Sequence, residues 1–200
     1  MLSAERAELL PGDPDPADRN ELAHSTATAL VTGGRAGADD ADLQRRLVHL
    51  VDAEGLDLLA QLWAASPAET LPGALWRLYL LREWTRRDSR TISERYHLGV
   101  GRAEVAGVVA GVVSPPGPQE VCDLADAVLH GVFSGDLDVA LDRAAAFLYV
   151  LVAGTALDAD WVESTDADHA DDLTRRAGAL QSTADDLHQA AALWRAGKLD

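Results

Sequence analysis

The chain has 200 residues, 48% of them apolar and 25% charged, and a formal net charge of −16. That length suits one domain with a sizeable core, and the acidity works against nucleic acid or anionic membrane as a partner unless positive charge is concentrated somewhere. A single cysteine, Cys122, excludes an intrachain disulfide and a Cys-based zinc cage.

The start, Met1-Leu2-Ser3-Ala4-Glu5, has neither the basic opening nor the apolar stretch of a signal peptide. The longest uncharged run, Ala144 to Leu157, falls short of the roughly 20 residues that span a bilayer, so it reads as a buried helix. The expected location is the cytoplasm, with no membrane partner.

Residues 1–38 read as a partly ordered N-terminal extension with one short helix, and residues 39–200 as a single all-α domain. Leu10-Pro11-Gly12-Asp13-Pro14 breaks structure, after which Asp15 caps a helix with Pro16 at its first position, running toward Val31. Gly33-Gly34-Arg35-Ala36-Gly37 reads as a loop. Asp39 or Asp40 caps a helix with Leu43, Leu47, Leu50 and Val51 on one face, and Asp52 a second one carrying Leu56, Leu59, Leu62 and Trp63.

Thr70 and Pro72 open a long helix to about Arg87. Thr91 and Glu94 have the spacing of a capping box for a short helix, Ile92 to Leu98, ended by Gly99. Helices then follow over 102–113, 119–133 and 137–157, separated by Ser114-Pro115-Pro116-Gly117 and Ser134-Gly135-Asp136. The last segment, from about Ser164 to Arg195, has Leu173, Leu180, Leu187 and Trp194 seven apart, with Ala177, Ala184 and Ala191 each four further on. This seam of large and small residues lets another helix approach closely. Its partner is either a helix of the same bundle or, alternatively, a second chain in an antiparallel dimer. No sustained period-2 run competes, so the fold class is all-α: an irregular bundle of about eight helices with a long C-terminal helix.

Three constellations bear on function. The first is a basic island. Seven Arg and three acids lie between Arg77 and Arg102, in a chain whose remainder is strongly acidic. It pairs with acidic helices of the same chain, or it offers Arg82, Arg86, Arg87, Arg90 and Arg95 as a face for an anionic partner. The helices around Gly99 imitate a helix-turn-helix. The would-be reading helix, however, runs Val105-Ala106-Gly107-Val108-Val109-Ala110-Gly111-Val112-Val113 and has no side chain to donate to a base edge. DNA binding is disfavoured on that ground.

The second is Arg77. On a helical wheel it falls inside an apolar arc of Trp76, Leu78, Leu80, Leu81 and Trp84, with Arg82, Glu83 and Arg86 opposite on the solvated face. A charge so placed needs a partner. That partner is an acid or a helix-end carbonyl, or else Arg77 anchors a small anionic ligand in a pocket with Trp76 and Trp84.

The third is a pair of Asp-x-x-His spacings, Asp166/His169 and Asp185/His188. On one helix these lie about 28 Å apart and cannot share an ion, so no metal site and no cofactor is expected. No phosphate loop, nucleophile elbow or Cys–His pairing is present, and the chain leans away from being an enzyme. The leading expectation is a non-catalytic cytoplasmic interaction or regulatory protein with a protein partner or self-association. The alternative is the small anionic-ligand binder at Trp76, Arg77 and Trp84, and the least favoured is the helix-turn-helix DNA binder.

Overall fold

Residues 15–33, 56–109, 115–131 and 136–200 are described in the computed structural model, excepting the side chains of 102–109. They form seven helices and no strand: α1 (Pro16–Gly33), α2 (Leu56–Trp63), α3 (Leu71–Arg87), α4 (Ser89–Val109), α5 (Pro118–Leu129), α6 (Leu137–Val162) and α7 (Ala167–Arg195). The chain is an all-α multi-helix bundle with a long C-terminal helix, as its periodicity predicts. The expected helix after Asp39, the Asp52 cap, the Gly33–Gly37 loop and the breaker run at 10–14 lie outside the described residues.

The helix starts follow local chemistry. The Asp15 carboxylate accepts from the Ala17 N–H at 2.9 Å, with Pro16 in the first turn of α1. Thr70 accepts from the Gly73 N–H at 3.2 Å and caps α3, and Asp166 accepts from the His169 N–H at 3.0 Å and caps α7. Glu120 reaches back to the Gly117 N–H at the start of α5. That helix ends sooner than its apolar pattern suggests, because Gly131 turns the chain at a φ of +66°.

The region around Gly99 departs from expectation. One helix, α4, runs from Ser89 through Gly99 to Val109. Glu94 does not cap its start but pairs with Arg90 one turn away at 3.0 Å. Gly99 is a crossing point: a Cβ there would lie 2.0 Å from the Val150 carbonyl oxygen, and one on Gly154 of α6 would lie 1.9 Å from that of Arg95. The two helices meet backbone to backbone, which only glycine permits. Gly99 therefore sits inside a helix despite its low propensity, and the expected turn between two helices at Gly99 is absent among the described residues.

Helix α6 is the centre of the bundle, with α4 along one side and α7 antiparallel along another. By length and composition it could cross a membrane, with a mean hydropathy of 1.5, but 67% of that apolar window is buried by the rest of the fold. It runs past the expected end at Leu157 to Val162, and Asp158 in that last turn pairs with the buried Arg95 at 3.3 Å. Helix α1 belongs to the common core through Ala23, Ala27 and Leu30, and the buried indole of Trp63 donates to Thr26 Oγ1 at 3.1 Å. The C-terminal residues return to α3. Leu199 is buried, and the Leu71 N–H donates to the Asp200 carbonyl at 2.7 Å.

Candidate functional site

Helix α3 has more apolar surface than one neighbour can cover. Leu71, Ala74, Leu75, Leu78, Leu81 and Thr85 are buried in the core. Trp76, Arg77, Leu80 and Trp84 lie beside that stripe and line a cleft between α3 and α7. The cleft has a volume of about 570 Å³. Leu148 of α6 and Leu180 and Ala179 of α7 add apolar wall, and Ser66, Ser182, Thr183 and Asp186 add polar groups. Trp76 is held by stacking on Tyr79, with ring centroids 5.5 Å apart. Tyr79 in turn donates to the Asp57 carboxylate at 2.7 Å. The three residues singled out from the apolar arc are thus brought together at one opening.

Arg77 is not a bare cation there. Its Nε donates to Asp186 Oδ2 at 2.8 Å, and its Nη1 donates to the Gly73 carbonyl at 3.0 Å. Arg77 Nη2 and Asp186 Oδ1 make no hydrogen bond with any described residue, and both side chains line the cleft. The expected acid partner therefore coexists with a cavity. Asp186 itself carries no local sequence signal, being one of many acids along α7. Only the packing of α7 against α3 brings it to Arg77. Among the described lining residues there is no imidazole or thiol.

The basic island is largely neutralised within the chain. Arg82 bonds Asp126 of α5 and also Glu83, and Arg86 bonds the other oxygen of Asp126. Arg82 was expected on the solvated face, but α5 covers it and leaves its side chain 11% exposed. Arg95 is buried against Asp158, and Arg90 pairs along its own helix. Only Arg87, exposed at the end of α3, makes no ion pair with a described residue among the five. As a face for an anionic partner the island has little free charge.

The C-terminal seam faces inward. Leu173, Ala177, Ala184, Leu187 and Ala191 are buried, while Leu180 and Trp194 are partly buried against the core. Helix α6 is the close-packed neighbour that the large/small alternation called for, so this stripe is covered without a second chain. Polar ties flank it. Tyr149 donates to Asp185 at 2.8 Å, and Asp142 binds His188 at 2.8 Å and Arg195 at 2.6 Å. Asp142 is only 9% exposed, and its hydrogen bond is the main reason the Arg195 guanidinium holds its proton more tightly than usual.

The two Asp-x-x-His spacings resolve into separate structural roles, Asp166 as the α7 cap and Asp185 as the acceptor for Tyr149. Among the described residues no three His, Cys, Asp or Glu side chains are grouped to hold a metal. Cys122 is buried in α5, and burial pushes its thiol up, away from the reactive thiolate. No protein-family model, no curated protein and no solved structure matches the chain.

Proposed function

We propose that this is a non-catalytic binding protein whose site is the cleft between α3 and α7, taking a small ligand with an apolar body and one hydrogen-bonding head. The cleft carries the reading. Its volume of about 570 Å³ lies in the range typical of small-molecule sites. Its walls are mainly apolar and aromatic, with a few polar groups that include the Arg77–Asp186 pair, which is the usual division between affinity and orientation. The charged island and the helical seam, which would have favoured a macromolecular partner, are occupied within the chain, so the cleft is the stronger basis for a function.

The test uses N-phenyl-1-naphthylamine, an uncharged dye whose emission rises in an apolar site. The wild-type protein binds it saturably, and Ala179→Trp, which fills the cleft from the exposed side of α7, abolishes binding while the thermal melt stays cooperative. Absence of saturable binding, or full binding retained in Ala179→Trp, removes the cleft as the functional site.

A further inference from the structure

We infer that the cleft selects uncharged ligands bearing a carboxamide-like head, and that Asp186 is the residue that sets this preference. The inference rests on the cleft being the binding site and names the ligand class that the site would take.

The argument starts from charge. Arg77 alone would recommend an anion, since a guanidinium fork suits a carboxylate. Here Asp186 Oδ2 already accepts from Arg77 Nε at 2.8 Å, and the pair is only partly exposed, at 22% and 30% for the two side chains. Adding a ligand carboxylate would leave two negative groups around one positive one inside an apolar-walled cleft. The alternative is to push Asp186 off the guanidinium. Both oppose binding, because like charges and desolvated anions disfavour each other strongly. The chain's net charge of −16 adds to that opposition. A ligand cation is opposed locally, because it would put a second positive charge beside Arg77.

The atoms left over define what does fit. Arg77 Nη2 has N–H groups without a protein acceptor among the described residues, and Asp186 Oδ1 has lone pairs without a donor. These belong to two side chains already joined by a hydrogen bond and both lining the cleft, so the pair keeps one donor and one acceptor to offer a ligand. A primary or cyclic amide presents the matching acceptor and donor side by side and carries no charge. It can satisfy both groups without breaking the Arg77–Asp186 pair, while Trp76, Trp84 and Leu80 cover an apolar or aromatic body. A carboxylate offers no donor to Asp186.

The experiment is competition against the bound dye by two probes of one shape, 2-naphthamide and 2-naphthoate. The amide displaces the dye from wild-type protein at about one-tenth the concentration the naphthoate needs, a ratio that one hydrogen bond to a charged group commonly supplies. In Asp186→Asn, which removes the negative charge and keeps the shape, the ratio collapses toward one or inverts. The wild-type ratio is informative even if that variant folds poorly. Equal displacement by both probes, a preference for the naphthoate, an unchanged ratio in Asp186→Asn, or no displacement by either overturns the inference while leaving the cleft as a site. If the dye itself does not bind, the cleft reading and this inference fall together.

Discussion

Gly99 of α4 and Gly154 of α6 form a contact in which each residue's missing side chain makes room for the other helix's backbone. A Cβ at Gly99 would fall 2.0 Å from the Val150 oxygen, and one at Gly154 would fall 1.9 Å from the Arg95 oxygen. Backbone atoms cannot swing aside as a side chain can, so alanine at either position must separate the helices. Gly99→Ala and Gly154→Ala are each expected to cost about 2 kcal/mol or more in urea denaturation, the scale of overpacking in a tight core. Gly101, two residues along α4, has nothing within 4 Å of its would-be Cβ. Gly101→Ala should leave stability unchanged or raise it by about 0.5–1 kcal/mol, as for an unconstrained helical glycine. Equal effects at Gly99 and Gly101 would show that the crossing is not close-packed.

The inward seam of α7 makes a second prediction. Leu187 has no exposed surface, so Leu187→Ala leaves a cavity against α6. A loss of about 2–5 kcal/mol is the usual range for such truncations in a core. Because the partner helix is in the same chain, the urea midpoints of wild type and variant should not move with protein concentration. A midpoint that rises with concentration would give the seam an intermolecular role after all.

Two tyrosines tie stability to alkaline pH. Tyr79 is pushed up from 10.0 to about 12, mainly by burial and then by its hydrogen bond to Asp57. Tyr149 is also raised, again by burial first and then by its bond to Asp185. A raised folded-state value means that folding favours the neutral phenol. The resulting stability is fully present below the unfolded value of 10.0 and is lost as pH climbs through about 12 at Tyr79. Denaturation midpoints followed by circular dichroism should therefore fall above pH 10.0, and Tyr79→Phe combined with Tyr149→Phe should flatten that fall. An equally steep fall in the double variant would assign it to other groups.

How much of this was legible beforehand depends on the range of the interaction. The caps at Asp15 and Thr70 are contacts over a few residues, so the starts of α1 and α3 could be read directly from side-chain chemistry. Helix α7, expected from about Ser164, instead starts at Ala167 behind an Asp166 cap that was not expected. Gly99 was misread because a helix-ending glycine and a helix-crossing glycine look alike in one dimension. The difference is Gly154, 55 positions later in the numbering. Arg77 was recognisable as a charge in need of a partner, but nothing near it pointed to Asp186, separated from it by 109 positions.

By itself the amino-acid order determined the helical class, the large/small face of α7, and the crowding of Trp76, Arg77 and Trp84 on one helix, because periodicity and capping are local properties. Tertiary structure alone decided three things: that α6 covers the seam, that Asp126 and Asp158 neutralise the basic island, and that α3 and α7 leave a cleft with its cation already balanced. The physical reason is that these outcomes depend on which helices face each other. Many acids along the chain could have paired with each Arg, and only packing brings one of them within hydrogen-bonding distance.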